Sequence, residues 1–353
     1  MKAVEKTKKG AVPSLLMIYT GGTIGMKSDE KTHSLVPYDI SQIEEEVPEI
    51  KKFGYKIDKY SLEKVIDSSD ITPEFWIRLA QIIKKNYEKY DGFVILHGTD
   101  TMSYTASALS FMLEDLEKPV ILTGSQLPIG ILRTDGKENI VSSIEIAAAK
   151  RADGHAMVPE VCIYFESQLY RGNRTTKYNA EAFKAFYSEN YPCLAQVGVH
   201  IKYNTNAIRY PAKWGKRLRI NTKLDTNVAV LKLFPGISAP TIKSVLGTKG
   251  CRAVVVETFG AGNAPTNKAF LKLLQNAVDK GLILVNVTQC LGGKVDMSAY
   301  ATGKELEKAG LLSGYDGTFE ATLTKLFFVL GNYSDNSDVK KVMQKELRGE
   351  VSC

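Results

Sequence analysis

A chain of 353 residues is longer than one hydrophobic core usually grows, so two domains are expected. With 44% hydrophobic and 24% charged residues it reads as an ordinary globular sequence, and no apolar run approaches membrane-spanning length. The formal net charge of +7 has a local source: Lys202, Arg209, Lys213, Lys216, Arg217, Arg219 and Lys223 follow one another without an acid, which fits a solvated connecting loop better than a nucleic-acid-binding helix face.

The N-terminus carries Lys2, Lys6, Lys8 and Lys9 but not the apolar stretch of a secretory signal. The five cysteines (Cys162, Cys193, Cys251, Cys290 and Cys353) are odd in number, scattered and without metal-type spacing. A reducing, cytoplasmic setting without a zinc site is expected.

In chain order, the first element is the unbroken apolar run from Leu15 to Tyr19, the pattern of a strand covered on both faces. It ends in Thr20-Gly21-Gly22-Thr23, and in open α/β sheets ligands gather at the carboxyl ends of such strands. Two glycines allow a sharp turn and leave room for a bound molecule, although a plain strand-capping turn fits the same residues. Next, Phe75, Trp76, Leu79, Ala80, Ile83 and Tyr87 mark the apolar stripe of a helix, with Thr72 placed to cap it and Pro73 suited to its first turn. The preceding Asp67-Ser68-Ser69-Asp70 reads, on its own, as a capping-rich turn.

A second apolar run, Phe93 to His97, empties into Gly98-Thr99-Asp100-Thr101-Met102. Met102, Ala106, Leu109, Phe111, Met112 and Leu116 then recur at helical spacing, so Thr99 and Asp100 fall at a strand-to-helix junction, where the usual duty of an aspartate is an N-cap. Strands are expected at Pro119 to Thr123 and Val161 to Phe165, a helix from about Asp135 to Ala149, and a polar stretch at Tyr170 to Lys177. From about Lys202 to Asp225 apolar periodicity is lost, which places the domain boundary there. Strands at Val228 to Phe234, Ala253 to Thr258 and Leu282 to Val287 then alternate with helices near Thr241 to Leu246, Thr266 to Lys280 and Phe319 to Leu330. The fold class is α/β, in two domains, with a largely parallel sheet.

The four histidines, His33, His97, His155 and His200, are not accompanied by a glycine-flanked serine elbow, and His97, which ends an apolar strand, reads as a hydrogen-bonded core residue. A serine-histidine-aspartate hydrolase therefore has little support.

Taken together and in order, TGGTIGM at 20–26, DSSD at 67–70, HGTDTM at 97–102, GSQLP at 124–128 and RGNRTTK at 171–177 resemble the asparaginases of the bacterial cytosolic type. ETFGAGNAP at 257–265, NVTQC at 286–290, ATGKEL at 301–306 and LRGE at 347–350 extend the likeness over nearly the whole chain. The resemblance implies a larger N-terminal domain (1–205) holding most of the active site, a linker (206–225) and a smaller C-terminal α/β domain (226–353). It further implies L-asparagine hydrolysis to L-aspartate and ammonia through an acyl-enzyme on Thr23, with no metal or organic cofactor and neither nucleic acid nor membrane as partner. Activity on glutamine, one methylene longer, accompanies such a pocket readily.

Carried over residue by residue, Thr20 is a neighbouring hydroxyl, Thr99, Asp100 and Lys177 support the nucleophile, and Lys177 accepts a proton through Thr99. Asp100 also holds the substrate ammonium, Ser68 and Ser69 its α-carboxylate with Asp67 close by, and Ser125 faces the side-chain amide. Asn263 reaches a neighbouring subunit's site in a homodimer or homotetramer. Asp100 beside Lys177 favours the charged amine whereas a base must be neutral, and burial acts in the opposite direction. An ion pair holding two loops is the alternative use of the same two residues.

The chain departs from the family pattern twice. Cytosolic bacterial relatives carry an activating tyrosine in the loop after the first motif, but Ser34-Leu35-Val36-Pro37 has none and Tyr38 is off register. Mammalian-type relatives draw theirs from the C-terminal domain, a position matched by Tyr300. Where allosteric members bind a second asparagine with an arginine, alongside Thr176 and Cys290, this chain has Glu257, an acid that would repel the effector's carboxylate while suiting its ammonium, which puts substrate cooperativity in doubt. Two other readings of the same motifs are a nonenzymatic asparagine sensor and the amidotransferase subunit that supplies ammonia for charging tRNA. The short leader before Thr20 leaves the latter little space for its usual extra N-terminal domain.

Overall fold

The computed structural model describes residues 12–28, 35–37, 43–62, 65–298 and 301–352. The larger domain is organised around β1 (Ser14–Tyr19), β2 (Lys56–Ser61), α1 (Pro73–Asn86), β3 (Gly92–Leu96), α2 (Met102–Met112), β4 (Val120–Thr123), α3 (Gly136–Ala148), β5 (Val161–Phe165), β6 (Gln168–Arg171), β7 (Ala195–Gln196) and β8 (Lys202–Tyr203). These strands form one eight-stranded sheet in the order β8-β7-β6-β5-β4-β3-β1-β2. β1 to β5 are mutually parallel, whereas β6, β7 and β8 each pair antiparallel with the strand before them.

Alternation along β1 explains why its sequence is apolar throughout: Leu16 and Ile18 pack with Phe75, Trp76 and Leu79 of α1, while Leu15, Met17 and Tyr19 pack with Ile140 and Ile144 of α3. A strand sandwiched between helices has no polar face to display. The smaller domain contains β9 (Val228–Lys232), α4 (Ala239–Leu246), β10 (Ala253–Thr258), α5 (Lys268–Asp279), β11 (Ile283–Thr288), α6 (Ala301–Lys308), β12 (Leu312–Ser313), α7 (Phe319–Asn332) and α8 (Asn336–Met343). Its four strands are parallel in the order β9-β10-β11-β12.

The two domains meet where α2 packs on α7, with Phe111 and Phe328 stacked at 6.1 Å between ring centroids. The basic stretch between them is pinned down: Arg219–Ile220 pairs antiparallel with Leu113–Glu114, and Arg209, Lys216 and Arg219 form ion pairs with Glu346, Asp115 and Glu114. Two capping expectations are corrected. Thr72 holds the N-cap position of α1 without a side-chain capping bond, and Thr101, also without one, takes that position on α2 in place of Asp100.

The chain's last turns lock onto α7 through a buried ion pair. Lys325 Nζ lies 2.6 Å from Glu350 Oε1, with the two side chains only 3% and 1% exposed. Glu350 also accepts from the Leu347 and Arg348 amides, and Lys325 donates to the Met343 and Lys345 carbonyls. Removing one partner of such a pair strands a charge in low dielectric. Lys325→Met is expected to lower the unfolding free energy by about 3–5 kcal/mol in urea titrations, and adding Glu350→Gln to recover part of that loss. A change under about 1 kcal/mol would show the pair to be ornamental.

Candidate active site

Four segments converge at the carboxyl ends of the central parallel strands. After β1 the chain turns through Gly21 and Gly22, at φ 125° and 87°, into a single 3₁₀ turn, Thr23–Gly25. Positive φ at both positions suits glycine, and side chains there would strike Ile66 and the Gly98 backbone respectively. Tyr19 supports the turn from beneath: its hydroxyl donates to the Gly25 carbonyl at 2.8 Å, and burial pushes its pKa up to about 12.

Thr20 and Thr23 part company here. Thr20 is 1% exposed and its hydroxyl donates to the Leu96 carbonyl at 2.9 Å. Thr23 is half-buried, and its hydroxyl has no hydrogen-bond partner among the described residues.

The second segment lies against the first through backbone, the Ile66 amide donating to the Thr20 carbonyl at 2.9 Å. Ser69 donates to Asp67 Oδ1 from its amide at 2.9 Å and its hydroxyl at 2.8 Å, and these bonds hold the Asp67 carboxyl below the usual carboxylate range. Asp67 thus caps the 3₁₀ turn Ser68–Asp70. Ser68 is buried against Gly98, where a side chain would meet Ser68 Oγ, and its carbonyl accepts from the Thr101 hydroxyl at 2.6 Å.

The third and fourth segments bring the charged pair. Lys177 Nζ lies 2.8 Å from Thr99 Oγ1 and 2.6 Å from Asp100 Oδ1, and the Lys177 side chain is 16% exposed against 64% for Asp100. These groups come from positions 78 and 77 residues apart in the chain. Ser125, 2% exposed, turns its hydroxyl to the Leu127 carbonyl at 2.5 Å. Asn263 stands in the smaller domain, where the Thr302 hydroxyl donates to its amide oxygen. Tyr300 and Tyr38 lie outside the described residues.

His97 belongs to the wall behind this site. It is fully buried, with Nδ1 2.6 Å from the Gly98 carbonyl and Nε2 2.9 Å from Thr105 Oγ1. Burial lowers its pKa to about 4. Because the unfolded chain takes up this proton near pH 6.5 and the folded chain only near pH 4, stability is unaffected above pH 6.5 and falls as the pH drops through that window, by up to about 3 kcal/mol. The His97 imidazole is expected not to titrate between pH 8 and 5.5 by NMR; a midpoint near 6.5 would refute the burial argument.

Family models for the asparaginase N-terminal domain and the glutaminase/asparaginase C-terminal domain match residues 14–209 and 227–343. The chain belongs to the asparaginase family. It is 45% identical to L-asparaginase 1 of Escherichia coli K12, covering 96% of this chain and 98% of that one. The crystal structure of L-asparaginase I from Vibrio cholerae superposes with a TM-score of 0.86 at 40% identity, over 97% of this chain and 100% of that one. Mouse 60 kDa lysophospholipase is 41% identical over 96% of this chain, which spans 62% of its length.

Gln126, Asp135, Arg174, Asp316 and Glu320, without an assigned role in the sequence, hold the candidate site together. Gln126 approaches Thr99 Oγ1 at 3.5 Å and donates to the carbonyls of Ala180 and Ala182, tying the Thr99 loop to the segment after Lys177. Asp135 receives the Gln126 and Leu127 amides and fixes that turn. Thr176–Lys177 pairs with Phe186–Tyr187, and the Thr176 hydroxyl donates to Glu320 of α7. Burial pushes the Glu320 carboxyl up, and the charge of Glu257 adds to it. Arg174 reaches Asp316 at 2.9 Å, so the smaller domain braces the loop that presents Lys177.

Proposed function

We propose that this family member hydrolyses L-asparagine to L-aspartate and ammonia in the cytoplasm, through an acyl-enzyme on Thr23. The observation that carries the reading is the Lys177 amine held between Thr99 Oγ1 and Asp100 Oδ1, beside the glycine turn that presents Thr23. In this scheme Thr99 and Lys177 take the proton from the Thr23 hydroxyl as it attacks the carboxamide carbon. The tetrahedral intermediate expels ammonia, and water then hydrolyses the acyl-threonine ester. Asp100 holds the substrate ammonium, Ser68, Ser69 and Asp67 frame its α-carboxylate, and Ser125 borders the carboxamide.

Tyr300 is the tyrosine we assign to Thr23, and Asn263 we assign to the site of a neighbouring copy in a homodimer or homotetramer. Residues 206–225 serve as the link between the two domains. Glu257, beside Glu320 and with Lys232 3.6 Å away, makes the region of Thr176 unsuited to a second asparagine carboxylate, so rates are expected to rise hyperbolically with asparagine. The deciding experiment is steady-state ammonia release from asparagine and glutamine by purified protein, with a lysophospholipid assayed in parallel. Asparagine is expected to have the highest kcat/KM, with glutamine weaker by up to a few hundredfold. Absence of ammonia release from asparagine, or a preference for the lysophospholipid, rejects the reading.

A further inference from the structure

At the opposite edge of the large sheet lies a cavity of about 390 Å³ that the proposed chemistry does not use. Glu160 and Val161 at the entry to β5 line it, so it sits at the amino ends of the parallel strands, whereas Thr23, Thr99 and Ser125 follow their carboxyl ends. Besides Pro159 to Val161 and Arg171, its walls come from three regions far apart in sequence: the end of α2 with the residues after it, the connecting segment around Arg209 to Lys216, and the tail at Leu347 and Arg348. A volume of this size suits a small organic molecule.

The charges in the walls are not balanced in what they leave available. Every acid is engaged: Glu160 by the Arg171 guanidinium and the Arg209 amide, Glu117 by the Gly215 and Lys216 amides, Asp115 by Lys216 and Arg219, and Glu114 by Arg219. Arg171 and Arg209 are likewise committed, to Glu160 and Glu346. Two cations remain. Lys213 has no hydrogen-bond or ion-pair partner among the described residues, and Arg348 spends one nitrogen on its neighbour's carbonyl while its buried Nε meets no acceptor. Beside the Tyr210 hydroxyl, which also has no hydrogen-bond partner among the described residues, the unspent side-chain donors of the cavity are these two cations, and the matching chemistry is an anion.

We infer that this cavity binds a small organic anion, its carboxylate or phosphate group held by Arg348 and Lys213 and its apolar part against Leu113, Leu116, Pro211 and Leu347. Such a ligand would touch both the large domain and the tail, and so would stabilise the folded state by mass action.

Thermal unfolding at fixed ionic strength, with malonate or methyl phosphate replacing chloride at 10 mM, tests this and separates the two anion types. At least one is expected to raise Tm by roughly 2 °C or more in the wild type. Arg348→Met should abolish the rise, and charge reversal by the exposed Lys213→Glu should abolish it too while leaving kcat and KM for asparagine unchanged. Should Arg348→Met fail to fold, Lys213→Glu alone decides. A wild-type Tm no higher in either anion than in chloride, or a rise that survives Lys213→Glu, overturns the inference.

Discussion

Replacing Thr23 by alanine is expected to lower kcat for asparagine by at least about 10³-fold, while Thr20→Val stays within about tenfold of wild type and loses about 1 kcal/mol of stability. The contrast follows from where each hydroxyl sits. Thr20 is sealed at the end of β1 with its proton committed to the Leu96 carbonyl, and its own amide also donates to that oxygen at 3.0 Å. It cannot give up that proton without breaking the bond that closes the strand end. Thr23, beyond the two glycines, is half-buried with a hydroxyl that no described protein group engages. A nucleophile removed leaves only the residual rate from binding and orientation, whereas a buried hydroxyl removed costs a single net hydrogen bond. Ammonia release measured alongside urea unfolding reads both effects. Near-normal turnover in Thr23→Ala, or collapse of kcat in a folded Thr20→Val, would reverse the assignment of the two threonines.

What the sequence makes legible here is what short-range physics encodes. β1, β3 and β5 are visible because a strand buried on both faces has to be apolar at every position, and α1 because its stripe recurs at the helical period. β2 was not legible: Lys56-Ile57-Asp58-Lys59-Tyr60-Ser61 is an edge strand, paired with β1 alone, and the charges that protect its open edge also erase its hydrophobic signature. The candidate site divides in the same way. Thr23, Thr99 and Ser125 follow the apolar runs that announce strands, so their placement at one edge could be read from pattern.

The bracing of Lys177 could not be read. It depends on Glu320 and Asp316, which lie more than 130 residues further along the chain, and on tail carbonyls such as Gly349, which accepts from Arg174 Nε at 2.7 Å. No local periodicity records such contacts. The basic stretch was legible in part: Arg209, Lys216 and Arg219 are exposed, as a solvated loop requires, but their ion pairs with Glu346, Asp115 and Glu114 come from distant parts of the chain that no local pattern records.

Lys177→Met is expected to lower kcat by about 10²–10⁴-fold, with a smaller effect on KM and at most about 1 kcal/mol of lost stability. The magnitudes separate the two uses of the Lys177–Asp100 contact. As a structural clamp between loops, the pair is worth little, because Asp100 is 64% exposed and water screens the attraction, so its loss would scarcely register in Tm or turnover. As a proton acceptor the amine is irreplaceable: methionine fills the space of the side chain but leaves the Thr99 hydroxyl, now 2.8 Å from Nζ, without the group that would draw a proton through it. Asp100→Asn completes the comparison. It keeps the shape while removing the charge, so under the proposed ammonium-holding role it should raise KM for asparagine more than Lys177→Met does. Measuring kcat and KM separately for both variants, with urea unfolding to confirm folding, distinguishes the roles. A Lys177→Met enzyme with wild-type kcat would reduce the lysine to a clamp and leave the deprotonation of Thr23 to another group.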